Sequence, residues 1–221
     1  MDLYPLYNSL RIAGISTFIV LLCAVAAAYY IAEFPGIIKG ILDCLFTLPL
    51  VLPPTVVGYM LLRILGPRRV LGTFFLDNFG IKLTMNWWSA VFSTSVVIFP
   101  LIYRTARGAF QAYDEKLTQA GRTLGLSDAY IFFKIELPCC KQGIIAGTVL
   151  AFARALGEYG ATSMIAGYTP GRTATISTTV YQLWRTDNDM LAFQWVLINM
   201  VISALVLLAI NLFEGKNPKI Q

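Results

Sequence analysis

Arg154 and Glu158 stand four residues apart in the otherwise apolar stretch from Gln142 to Ala166. On a helix this spacing puts both side chains on one face, where they can pair. Two roles are open to them. They can form a salt bridge that fixes the segment against its neighbours, or Arg154 can touch a passing anion that Glu158 alone would repel. Thr55, Thr162 and Ser163 lie in apolar surroundings and offer weak neutral donors, which suit an ion that must be released again. Each serves equally well as a packing hydroxyl between helices. Histidine is absent, which removes the usual proton shuttle and the commonest metal ligand. Cys23 and Cys44 lie inside apolar stretches and Cys139 and Cys140 are adjacent, so none has zinc-site spacing, and all four read as small packing residues. No catalytic residue and no metal site is expected.

The elements that carry these residues follow from composition. Hydrophobic residues make up 57% of the chain and charged residues 13%, with a mean hydropathy of +0.67; soluble domains have about 45–50% and roughly 25%. The solvent is therefore a bilayer, whose core of about 30 Å is crossed by about 20 apolar helical residues. Stretches of that length occur at 12–32, 44–62, 83–103, 142–166 and 190–213. The 221 residues thus form a single all-α transmembrane bundle of about five spans. The second span carries Pro49, Pro53 and Pro54 and is expected to kink. Trp87 and Trp88 open the third at an interface, and Arg104 and Arg107 close it. Because Met1 to Pro5 lacks a basic segment, the first span is expected to remain in the mature protein.

The net charge of +5 has no basic run interleaved with aromatics, so nucleic acid is not an expected partner. The stretch 104–141 holds Arg104, Arg107, Lys116, Arg122, Lys134 and Lys141, and the positive-inside rule makes it cytoplasmic. Five spans then put the N-terminus outside and the tail from Glu214 to Gln221, with Lys216 and Lys219, inside. Lys39 joins the inner side, while Arg63, Arg68, Arg69, Lys82, Arg172 and Arg185 fall outside.

Within that loop, Gln119-Ala120-Gly121-Arg122-Thr123-Leu124-Gly125 is followed after nine residues by Ile135-Glu136-Leu137-Pro138. Glu115 to Leu124 has helical character, Gly125 can take the left-handed conformation that ends a helix, and Ser127 can cap a second helix from Asp128. Pro138 is expected to stop that second helix before the fourth span. The result is a compact knob presenting Ala120 and Gly121 to a groove on a cytosolic partner. The spacing resembles the signature loop of binding-protein-dependent ABC transporter permeases: Glu-Ala-Ala, three residues, Gly, nine residues, Ile-x-Leu-Pro. Gln119 replaces the usual Glu and Gly121 the second Ala, so an ion pair made by that Glu cannot form here.

A narrower resemblance, to permeases of the molybdate, tungstate and sulfate branch, is carried by four stretches. These are Phe152 to Thr162, Gly167 to Thr173 with Tyr181, Pro49 to Gly58, and Gly66 to Gly72. It implies the type I ABC importer permease fold and a homodimer enclosing one path for a tetrahedral oxyanion, molybdate before tungstate or sulfate. It also implies two cytosolic ATPase subunits at the two loops and an extracytoplasmic binding protein that delivers the anion. No Gly-x-x-x-x-Gly-Lys-Ser/Thr loop occurs, so ATP and Mg would be used by the partner ATPase and no cofactor would be bound by this chain. The outer segment Gly167 to Asp189, with a Pro-Gly turn and a short helix expected from Ile176 to Trp184, has two readings open to it, a contact for the binding protein or a simple capped loop. Two rivals fit less well. A membrane-embedded enzyme needs clustered nucleophiles, bases or ligands, and an ion-coupled carrier needs repeated halves and a titratable group at midplane. Only Glu158 is available for the latter.

Overall fold

The computed structural model describes residues 2–32 and 34–214. Among them the regular structure is helical: α1 (Tyr4–Ile31), α2 (Gly36–Val51), α3 (Pro54–Leu65), α4 (Val70–Phe79), α5 (Trp87–Gln111), α6 (Glu115–Thr123), α7 (Asp128–Ile131), a π-helical turn (Phe132–Glu136), α8 (Leu137–Leu156), α9 (Gly160–Ile165), α10 (Ile176–Arg185) and α11 (Asp189–Glu214). Four helices or helical runs are long and apolar enough to cross a membrane, and the bent pair α2–α3 meets the same criterion when taken as one span. The tail with Lys216 and Lys219, like Glu33 at the end of the first expected span, lies outside the described residues.

Helix α5 is the central post, flanked by α1 and α8. Between membrane helices there is little hydrophobic drive, so association depends on close packing of small residues. On α8 the spacing of Gly143, Gly147, Ala151 and Ala155 supplies one such stripe. A methyl at Gly143 would lie 2.8 Å from the Ala109 side chain, and one at Gly147 would overlap Thr105. Helix α1 offers Ala13, Ala24 and Ala28 to a core shared with Ile98, Ile102 and Ala106 of α5. Its Ser16 hydroxyl donates to the Val91 carbonyl at 3.0 Å.

Helices cover all five expected stretches, with altered boundaries. The first begins at Tyr4, and the third runs from Trp87 to Gln111, so Arg104 and Arg107 are helical rather than looped. The second is two helices meeting at 114°. At the elbow Leu52 and Pro53 are extended, and two successive prolines remove the donors that would carry the ladder across. The fourth starts as a continuous helical run at Asp128, ends at Leu156, and leaves α9 as a separate short helix. Pro138 therefore does not stop a helix. It occupies the first turn of α8, and the widened π turn before it makes room for the ring that an α-helix would clash with.

Contacts fix which ends lie together. Tyr29 near the end of α1 stacks edge-on against Phe110 and Phe132, at 5.7 and 4.5 Å between ring centroids. At the other end of α1, Asn8 donates to the Ala174 carbonyl at 2.9 Å, and Ser9 accepts the Ile176 N–H at 2.9 Å. The α6–α7 knob and the segment 167–188 thus lie at opposite ends of the bundle.

Candidate functional site: a knob and a broken helix

The knob is α6, the turn through Gly125, and α7. Asp114 caps α6 by accepting from the Lys116 N–H, and Ser127 caps α7 by accepting from the Tyr130 N–H. Gly125 has φ +77°, and the Leu126 N–H reaches back to the Gly121 carbonyl at 3.1 Å, closing the helix end. Across the turn Arg122 pairs with Asp128 at 2.9 Å, and that hydrogen bond raises the Arg122 pKa above its ordinary value. Beneath, Thr118 donates to the buried Glu136 carboxylate at 2.6 Å, and Tyr113 shares a 3.2 Å hydrogen bond with Thr118. Burial pushes the Tyr113 phenol up in pKa. The expected helix, glycine end and serine cap are all present, and together they hold the knob rigid.

Its outer face differs from expectation at one residue. Gly121 is buried, and a methyl there would lie 3.1 Å from the Ile131 side chain, so glycine here allows α6 to approach α7. Gln119 and Ala120 remain exposed beside Leu117 and Leu124. Ile135 and Leu137 are half-buried and Pro138 is exposed. Residues 112–127 are the loop proper, shorter than the 104–141 stretch.

The five residues proposed for the pathway gather around the break between α8 and α9. Arg154 Nη1 lies 2.7 Å from Glu158 Oε2, confirming the pair, yet Glu158 is beyond the end of α8 and not on a shared helix. Its other oxygen accepts the Ala161 N–H at 2.8 Å, so the carboxylate ties the end of α8 to the start of α9. That side chain is 1% exposed and Arg154 is 37% exposed. Thr162 is buried with its hydroxyl 3.5 Å from that of Thr94 on α5. Ser163 is half-buried and donates to the Gly160 carbonyl at 3.0 Å. Thr55, exposed at the start of α3, meets α9 where a methyl on Gly160 would lie 2.9 Å from the Thr55 nitrogen. A methyl on Gly58 would lie 2.7 Å from the Ala161 Cα. Helices α3 and α9 therefore run side by side, and Gly58, Gly147 and Gly160 are close-packing positions, whereas Gly157 has nothing within 4 Å of a built methyl.

One group escapes sequence inspection. Asp43 of α2 pairs with Arg107 of α5 and accepts from the Tyr103 hydroxyl. The signal was an acid at the edge of a span, which needs a partner. Lys39, four residues earlier, offered a local one, but its ammonium donates to the Ala32 carbonyl at 3.1 Å. The cysteines are free; Cys23, Cys44 and Cys139 are exposed, and Cys140 alone is a packed core residue.

Comparison with known proteins agrees with this geometry. The alginate importer, described as "a bacterial ABC transporter involved in the import of the acidic polysaccharide alginate", superposes with a TM-score of 0.76 at 18% identity, covering 98% of this chain and 80% of that one. The MetNI methionine ABC transporter in inward-facing conformations gives 0.71 at 14% identity over 96% and 93%. These likenesses concern the fold. The molybdenum transport system permease protein ModB of Escherichia coli strain K12 is 49% identical over 153 residues, 69% of this chain, and the match spans 66% of the relative's own length. ModB of Haemophilus influenzae is 38% identical over 186 residues, 84% of this chain and 81% of the relative. Residues 19–217 match the binding-protein-dependent transport system inner membrane component family, and the chain belongs to that family of ABC transporter permeases.

Proposed function

We propose that this chain is the channel-forming subunit of an ATP-driven importer that carries molybdate across the cell membrane. The observation that carries the reading is the identity of 38–49% to permeases named for molybdenum transport, over 69% and 84% of this chain. Two copies form the path between them. A cytosolic ABC ATPase subunit docks on each knob, where the exposed Leu117, Ala120 and Leu124 give it an apolar ridge, and ATP and Mg are used there. The knob faces the cytoplasm. The N-terminus and the segment 167–188 then face outward, where an extracytoplasmic binding protein releases the anion.

The mechanism is alternating access by rigid elements. Movement of the ATPase is passed through the knob to α5 and α8, which continue into it. Near the path, Glu158 is neutralised by Arg154 and the Ala161 N–H, so its charge does not repel a dianion. The exposed part of Arg154 and the hydroxyl of Thr55 supply loose contacts that let the anion go. The test is reconstitution of this permease with its ATPase and binding protein in liposomes. ATP-dependent uptake of labelled molybdate is expected, with tungstate competing and sulfate competing weakly. Uptake of sulfate alone, or gradient-driven uptake without ATPase, would overturn the reading.

A further inference from the structure

Helix α2 has no fully buried residue. It is held to the core around the central post α5 by Leu42, by Phe46, whose ring meets those of Phe99 and Tyr103 at 5.2 and 5.5 Å, and by the Asp43–Arg107 ion pair with Tyr103. Both charged side chains are largely withdrawn from solvent, at 18% and 23% exposure. The Arg107 Nε is buried with no acceptor, so the guanidinium is only partly satisfied in this arrangement. Fully satisfied polar networks rigidify a contact, and this one, incompletely bonded, leaves room for exchange between arrangements.

Its place in the chain gives the exchange a consequence. Arg107 lies one turn before the end of α5, and Tyr113, just beyond, bonds to Thr118 of the knob. Asp43 lies midway along α2, which ends at the elbow Leu52–Pro53; the first turn of α3 then sets Pro54 and Thr55 against Gly160. We propose that Asp43 and Arg107 are positioning residues whose ion pair carries movement of the knob, through α5, to the α2–α3 elbow and so to the pathway. The proposal rests on the importer reading above and adds the element that links its two ends. Spatial continuity alone does not show coupling, so the test measures coupling itself.

The complete transporter, with permease, ATPase and binding protein, is assembled in liposomes with Asp43→Asn, Arg107→Gln and the charge swap Asp43→Arg with Arg107→Asp. Nitroxides are placed at exposed Val56 and Lys116, after replacement of the native cysteines by serine, to report the distance from elbow side to knob. Both single variants are expected to assemble and hydrolyse ATP within about twofold of wild type, while molybdate uptake per ATP falls about tenfold, a common size for coupling between sites. The nucleotide-driven distance change should vanish in both and return, with part of the uptake, in the swap. Wild-type coupling and distance change in both single variants would overturn the proposal. So would failure of all three to assemble, which makes the pair a folding contact only, or a swap that restores nothing. A wild type that shows the distance change without taking up molybdate refutes the cargo reading and leaves this one measured by distance.

Discussion

Glu158 is a carboxylate with 1% exposure, held by one cation and one backbone N–H. Breaking a buried pair by removing one partner costs about 3–5 kcal/mol, because the other charge is stranded; with Arg154 37% exposed, the lower end applies and the two truncations are unequal. Arg154→Ala leaves Glu158 buried and uncompensated, whereas Glu158→Ala leaves an arginine that can reach water but uncaps α9. Both should lower the yield of folded protein, Arg154→Ala more, and the double variant should lose less than the sum of the two. Additive losses would count against a pair. If Arg154→Ala instead assembles normally and loses uptake alone, the residue is a contact for the anion. The pairing was legible because spacing and the cost of unpaired intramembrane charge both require it. That Glu158 also caps the next helix was not, since the break at Gly157 carries no proline to announce it. The Asp43–Arg107 pair was hidden for another reason: its partners come from different helices, and no sequence pattern brings α2 onto α5.

At the scale of elements, the knob was read almost residue by residue, because caps and left-handed glycines are local chemistry. Its Gly125 has φ +77° and open space around it, so a side chain there meets backbone strain and no clash. Gly125→Val should therefore cost on the order of 1–3 kcal/mol, leave the permease inserted, and uncouple ATP hydrolysis from uptake; normal transport by this variant would show that the knob is not the coupling element. Gly147 makes the opposite case. A methyl would overlap Thr105, so Gly147→Leu should separate α8 from α5 and abolish recovery of folded protein, while Gly157→Ala, with free space, should be silent on a detergent-stability assay. Boundaries of membrane elements were less legible. Hydropathy marks what can lie in lipid, and it cannot see that the π turn carries one helix past Pro138; the kink that the prolines of the second span announced is present, as a full break at Leu52–Pro53.

For the whole molecule, helix contacts tie the two ends of α1 to opposite ends of the bundle, and the charge bias favours one of the two orientations. Nine cations inside against six outside is a small bias. The contacts add that α1 ends beside the knob, at Phe110 and Phe132, and begins beside Ala174 and Ile176. Whichever side holds the knob, Asp2 must therefore be on the other. Leu124, 79% exposed at the knob, and Asp2 thus report opposite faces of the membrane. In a background where the four native cysteines are serine, Leu124→Cys should react with a membrane-impermeant thiol reagent only from the cytoplasmic side, and Asp2→Cys only from outside. Both reacting in the reverse sense would invert the protein and remove the ATPase from reach of the knob, which would sink the importer mechanism as well as the topology. Both reacting from the same side would mean that α1 does not cross, against the packing of Ala13, Ala24 and Ala28 along the length of α5. Opposite labelling with the knob inside leaves the segment 167–188 on the outer surface, beside the start of α1, where a binding protein can reach it.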